Sequence, residues 1–210
     1  MPTRILLTRH GLSEHNLNTK VYMGRSPASR LVEEGRRQAS LLGAHLAREG
    51  AEGERVDAIV ASSLPRTMET AERIAAPLGV APIEPEDAFW ELSKGDWEGR
   101  MPRHDLPEDA ARALAEDPFG FRYPGGESYR DATARAAPAF DRWVNGPAGR
   151  NLLFVLHGDI LRALLHHTMG FPETRIGDFV IHPCSLTELS LENGAYHLVR
   201  FNDDNHLRVD

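Results

Sequence analysis

Arg4-Ile5-Leu6-Leu7-Thr8-Arg9-His10-Gly11-Leu12-Ser13-Glu14-His15-Asn16 is the stretch that decides how the rest of the chain is read. Ile5 to Leu7 is a short apolar run of the kind a buried strand makes. It stops abruptly at Arg9-His10-Gly11. In an open α/β sheet, ligands bind at the carboxyl ends of strands, so Arg9 and His10 stand where chemistry can happen. Gly11 permits a sharp turn or close backbone approach. Asn16 supplies an amide able to bond an anion's oxygens. A surface cation beside a capping histidine explains these residues equally well, and the remainder of the chain decides between the two.

The chain has 210 residues, a length that suits one domain over 1–210. Hydrophobic residues make up 41% and charged residues 26%, ordinary values for a soluble globular protein. The net charge of −7 argues against nucleic acid as a partner, and it does not suggest a membrane surface. Any anionic ligand must therefore be met by local cations. Cys184 is the only cysteine, which leaves no intrachain disulfide and no CxxC metal site. No apolar run has the length of a membrane span. Met1-Pro2-Thr3-Arg4 leads straight into the first strand without a signal-peptide pattern, so the expected location is the cytoplasm.

Further along, strands and helices alternate. Leu31 to Arg48 reads as a helix with Ala39, Leu42 and Leu46 on one face, and Gly35 inside it hints at close packing. The loop before it, Ser13 to Arg30, is punctuated by Gly24 and Ser26-Pro27 and is long enough to be functional. Val56 to Ala61 reads as a strand, followed by Ser62 as a helix cap and a helix to Leu78. Arg66 then sits in a helix's first turn, where the dipole does not favour a cation, a mild sign that it faces an anion. Val80 to Ile83 reads as a short strand, Phe89 to Gly99 as a loop, and 104–117 as a weak helix. A helix over Glu127 to Val144 should kink or break at Pro138. Asn151 to Leu156 is the clearest buried strand, and it ends in His157-Gly158-Asp159 before a helix to Met169. Backbone N–H groups at that helix start can bind an anion. Asn193-Gly194 marks a hairpin between Cys184 to Leu191 and Ala195 to Phe201, with a polar, loose tail after it. The expectation is an α/β fold: a mostly parallel central sheet with helices on both faces and one antiparallel strand.

Arg9 and His10, Arg66 and His157 thus collect at strand ends, with Asn16 nearby and Glu91 and Glu98 on a loop with Trp90 and Trp97. Two guanidiniums offer forked donors to an oxyanion. A neutral imidazole can act as a nucleophile. A carboxyl group shielded by aromatic rings has a raised pKa and can protonate a leaving oxygen. The set fits phosphoryl transfer through a phosphohistidine, with no metal and no cofactor. Scattered histidines, including His166-His167, are read as solvated or structural.

The ordered motifs resemble the histidine phosphatase, or phosphoglycerate-mutase-like, superfamily. Arg9-His10-Gly11-Leu12-Ser13-Glu14-His15-Asn16 is similar to that family's RHGxS/TxxN. Ser62 to Ala71 resembles SSxxRxxxTA, and Glu91 to Gly99 resembles ExxxGxWEG. Pro124-Gly125-Gly126-Glu127-Ser128 and Val155-Leu156-His157-Gly158 complete the series. The resemblance implies His10 as nucleophile, Glu91 as general acid, and Arg9, Arg66 and His157 as catalytic partners. It also implies a phosphate pocket of Arg9, Asn16, Arg66 and Gly158; Gly24 and Arg122 are added as candidate substrate contacts, with Arg25 a further cation. Pro27 to Val32 departs from the usual Asp-x-Pro-Leu-Thr, and Val32 cannot cap a helix as Thr would. The short segment before Pro124 is similar to the phosphatase branch, and Phe121 to Tyr129 resembles the sugar-binding segment of fructose-2,6-bisphosphatases. A small phosphate ester, such as a phosphosugar or phosphoglycerate, is the expected partner, and a homodimer is compatible. A cofactor-dependent phosphoglycerate mutase and a non-catalytic phospho-ligand binder stand as alternatives.

Overall fold

The first strand, β1 (Thr3–Arg9), carries the apolar run and lies inside a six-stranded sheet. The computed structural model describes residues 2–17, 20–102, 104–147 and 149–208. The other strands are β2 (Ala58–Ala61), β3 (Ile83–Pro85), β4 (Asn151–Leu156), β5 (Leu186–Glu192) and β6 (Ala195–Asp203). The helices are α1 (Glu14–Leu17), α2 (Glu33–Ala51), α3 (Pro65–Leu78), α4 (Glu108–Glu116), α5 (Tyr129–Val144) and α6 (Gly158–Met169). Strand order is β3-β2-β4-β1-β5-β6. Pairs β3/β2, β2/β4 and β4/β1 are parallel, whereas β5 is antiparallel to both of its neighbours. Among the described residues β5 is therefore the one reversed strand, as expected.

Period-two alternation sorts the core into two layers. Ile5, Leu7, Val60, Leu152, Phe154 and Leu156 pack with α5 and α6 on one face. Leu6, Ile59, Ala61, Leu153 and Val155 pack with α2 and α3 on the other. The chain leaving β1 and β2 thus turns to one face, while the chain leaving β4 turns to the opposite face. That divergence opens a crevice at the carboxyl edge, the usual ligand position in a doubly wound sheet. Gly35 lets α2 pack directly on the segment after β1: a Cβ at Gly35 would overlap the Leu12 carbonyl, and one at Gly11 would overlap the Gly35 carbonyl.

Several local expectations are corrected. Ser62 is not the cap of α3; Leu64 holds that position without a side-chain bond, and Ser62 is turned toward His157. Val32, at the cap position before α2, provides no side-chain cap, as its residue type dictates. Pro138 does not break α5. An interior proline costs about 3 kcal/mol, but Phe140 and Val144 beyond it are buried, and each such burial stabilises by about 1.5–3 kcal/mol. Burial wins. The third strand lies at Ile83–Pro85, later than Val80 to Ile83. The tail is more ordered than expected: β6 runs to Asp203, a 3-10 turn follows at Asn205–Leu207, and His206 Nε2 donates to the Cys184 carbonyl at 2.9 Å. Residues 209–210 of that tail lie outside the described residues. Among the described residues, no helix is long and apolar enough to cross a membrane.

Candidate active site

His10, Ser62 and His157 follow directly on the carboxyl ends of β1, β2 and β4. The His10 N–H donates to the Leu156 carbonyl at 2.9 Å, and the Ser62 N–H to the Val155 carbonyl at 3.1 Å. Sheet register alone therefore brings the three side by side. The His10 and His157 ring centroids are 5.3 Å apart, edge to face at 65°. His157 Nε2 lies 2.8 Å from Ser62 Oγ, and its buried Nδ1 has no protein hydrogen-bond partner among the described residues.

Two bonds assign the tautomer of His10. Its Nδ1 is 2.8 Å from the Gly11 carbonyl, which can only accept, so Nδ1 carries the proton. Arg66 Nε donates to Nε2 at 3.3 Å, so Nε2 bears the lone pair. Burial and the positive charges of Arg66 and Arg9 hold the His10 pKa well below its usual value. The ring is neutral at neutral pH, with its lone pair aimed at a guanidinium. His157 is likewise kept neutral, by burial first and Arg66 second.

Arg66 is 2% exposed, which removes the reading of a solvated helix-start arginine. Its two terminal nitrogens donate to the Ser26 and Gly24 carbonyls at 3.2 and 3.1 Å. The long loop after β1 therefore holds the guanidinium in place. Burial lowers its pKa to about 10, which still leaves it cationic at neutral pH. Arg9 donates to the Ile181 carbonyl at 2.8 Å.

A cavity of about 520 Å³ opens over Arg9, His10 and Arg66, while His157 lies buried behind His10 and is not among its lining residues. Arg9, His10, Asn16, Gly24, Arg66, Glu91 and Gly158 all line it, so most of the sequence candidates meet there. Burial and the negative charge of Asp159 raise the Glu91 pKa, against the pull of Arg66. Burial is the expected cause, and the like charge of Asp159 adds to it. Trp90 donates its indole N–H to Ser63 Oγ at 2.6 Å, and Trp97 packs on Tyr22 and Tyr123. Glu91's backbone is clamped: its carbonyl accepts from Arg25 at 2.8 Å and Arg135 at 3.2 Å. Glu127 bridges those two guanidiniums at 2.6 and 2.9 Å. Arg25 is thus a support for Glu91 rather than a cavity cation.

Glu98 is held by backbone donors. Its carboxylate accepts the Lys94 N–H at 2.9 Å and the Arg25 N–H at 3.1 Å, fastening the Glu91 loop to the Gly24 loop. Arg122 is a correction. It is absent from the cavity and pairs with Asp131 at 2.5 Å on the exposed surface. Asp131 is pinned at the start of α5 by a capping box with Ser128, so its charge draws Arg122 outward. Among the described residues, no group of three or more His, Cys, Asp or Glu side chains is placed to hold a metal ion.

The model of the histidine phosphatase superfamily (branch 1) matches residues 5–204. The chain belongs to that superfamily. As a superfamily member it is a phosphatase or a mutase. A 2,3-bisphosphoglycerate-dependent phosphoglycerate mutase of Methylobacterium radiotolerans is 32% identical over 193 residues, 86% of each chain. Among solved structures, Bacillus stearothermophilus YhfR superposes with a TM-score of 0.85 at 27% identity, covering 98% of this chain and 100% of that one. A mycobacterial glucosyl-3-phosphoglycerate phosphatase gives 0.82 at 25% identity, covering 97% and 100%.

Among the charged cavity residues, Lys94, Asp159 and Arg162 were given no role by the superfamily motifs. Asp159 and Arg162 have the i,i+3 spacing of a helical ion pair, which is a legible signal. Lys94 reaches them from a distant segment, and nothing local announces it. Tyr123 and Tyr129 both line the cavity and pack on the core.

Proposed function

We propose that this histidine phosphatase superfamily member is a metal-independent phosphomonoesterase acting through a phosphohistidine on a small phosphometabolite. The observation that carries the reading is His10. It is a neutral imidazole with Nε2 unprotonated, set against Arg66 and edge-on to His157, in a cavity that Glu91 also lines.

In the first step, Nε2 attacks phosphorus and the P–N bond forms as the ester P–O bond breaks. The leaving oxygen takes the proton of Glu91, whose pKa is raised by burial and Asp159, the direction that favours an acid. Arg9 and Arg66 meet the charge on the transferred oxygens. With the Ser62 hydroxyl donating to His157 Nε2, the His157 Nδ1–H is left as a further donor to phosphoryl oxygen. Asn16 and the Gly158 N–H at the start of α6 complete the pocket. In the second step water attacks the phosphohistidine, the Glu91 carboxylate takes its proton, phosphate departs and His10 returns to its neutral form.

The relative named as a mutase favours one other reading, in which the phosphoryl group passes to a second hydroxyl instead of water. Phosphate release from a panel of phosphosugars and phosphoglycerates, with EDTA present, separates the two. Release without any bisphosphate primer is expected. Primer-dependent isomerisation with no net phosphate release would replace the phosphatase by a mutase.

Arg66→Lys is expected to lower kcat/KM by about 3 kcal/mol, roughly 10²-fold, by analogy with loss of one oxyanion donor. Arg66 spreads bonds over His10, Ser26 and Gly24 from a rigid fork, a geometry that a lysine's single ammonium cannot reproduce. An unchanged kcat/KM would remove Arg66 from the site.

A further inference from the structure

Lys94, Asp159 and Arg162 line the same cavity as His10, yet they have no step in the chemistry above. The Lys94 ammonium is 2.9 Å from Asp159 Oδ2, with only 7% of its side chain exposed. Arg162 Nη1 is 2.8 Å from Asp159 Oδ1, and the Tyr129 hydroxyl donates to that same oxygen at 2.5 Å. The ammonium also lies 4.1 Å from the centroid of the Tyr123 ring. Arg162 Nε donates to the Phe179 carbonyl at 2.7 Å.

Both oxygens of Asp159 are engaged. Two cations share this one carboxylate, so one positive charge is in surplus. Lys94 has three N–H donors and Arg162 five, more than these bonds consume. A surplus charge in a shielded wall is costly unless something compensates it. Glu91 is not that compensation, because it must hold its proton to act as the leaving-group acid.

We infer that Lys94 and Arg162 form a subsite for a second anionic group, a carboxylate or a second phosphoryl group, carried by the leaving alcohol. The inference rests on the phosphoryl-transfer reading of the cavity. Asp159 is the positioning residue: it holds both cations at one place and is itself closed to the ligand. An anion bound there also adds negative charge near Glu91, which favours its protonated form. A substrate with a second anion would therefore bind more tightly and keep the acid armed. A neutral alcohol would do neither.

The test is equilibrium binding by calorimetry in a His10→Ala background, where neither hydrolysis nor transfer enters. Three esters are compared: glycerol 3-phosphate, 3-phosphoglycerate and glycerol 1,3-bisphosphate. At least one of the two esters with a second anion is expected to bind about tenfold or more tightly than glycerol 3-phosphate, the scale of a charge-assisted hydrogen bond. Which of the two is preferred identifies the group. Adding Lys94→Gln should bring that ratio toward one, and Lys94→Arg, which keeps the charge, should retain it. Arg162→Gln gives the same readout should Lys94→Gln not fold. Equal affinities for all three esters overturn the subsite, as does a ratio unmoved in a folded Lys94→Gln or Arg162→Gln protein. Inhibition constants against p-nitrophenyl phosphate in the His10-intact protein give the same ratio independently. Absence of hydrolysis in that protein would count against the phosphatase reading while leaving the binding ratio to judge the subsite.

Discussion

His10→Ala is expected to remove nearly all turnover, by about 10⁴-fold or more, the scale on which loss of a nucleophile acts when the binding groups remain. Arg9, Arg66 and His157 would still hold a phosphate ester in that variant, but no atom would be left to accept the phosphoryl group. The effect should therefore fall on kcat with little change in ligand affinity. The same residue predicts the chemical signature. Acid quench of the unaltered protein with labelled substrate should trap a label that is acid-labile and alkali-stable, as a phosphoramidate is, and His10→Ala should trap none. The neutrality of His10 also sets a pH sign. Its pKa lies well below the usual histidine value, so the attacking form persists as pH falls through the ordinary histidine range. Attack should weaken only at lower pH, where the imidazole protonates. Turnover that survives in His10→Ala, or a trapped label that is stable to acid, would show that the phosphoryl group is carried elsewhere.

Glu91→Gln should give the second largest effect, and a selective one. An alkyl phosphate expels an alkoxide, a poor leaving group unless it is protonated as the bond breaks. A positioned carboxylic acid contributes about 10²–10⁴-fold to such a step. A nitrophenolate leaves readily and needs little protonation. Single-turnover phosphorylation of His10 by sugar or glycerate phosphates should therefore slow greatly in Glu91→Gln, and much less with p-nitrophenyl phosphate. The comparison must be made on the first step, because in the proposed mechanism the same carboxylate serves the water in the second. Burial and Asp159 raise the Glu91 pKa, so phosphorylation by alkyl phosphates should decline as pH rises through that raised value. The variant should lack this basic limb. Equal slowing with both substrates would deny Glu91 the acid's role. Glu98 would not inherit it, since its oxygens are occupied by the Lys94 and Arg25 N–H groups.

The parts of the fold that were legible share one property: their signals are local. β4 was readable to the residue from its unbroken apolar run, and α3 ended where Leu78-Gly79 allows a left-handed cap. The hairpin followed from Asn193-Gly194, both at positive φ. The misreadings came where a distant segment supplied the deciding term. Ser62 had the look of a cap until His157, brought in by β4, took its hydroxyl. Pro138 had the look of a break until burial of the residues beyond it outweighed the lost backbone bond.

The candidate site divides along the same line. By itself the sequence named the candidate side chains and set them at strand ends: Arg9 and His10 after β1, Arg66 after β2, His157 after β4. Alternating apolar runs and the turns that end them are encoded within a few residues, so strand-end placement can be read along the chain. Only the tertiary structure decided which charges face each other. It turned Arg122 out to Asp131 and Arg25 onto the Glu91 carbonyl, and it set Lys94 and Arg162 on the single carboxylate of Asp159. A charge's partner is chosen through space, by sheet register and helix packing that join residues far apart in the chain. Coulomb energy in a shielded cavity depends on that distance and not on the sequence interval.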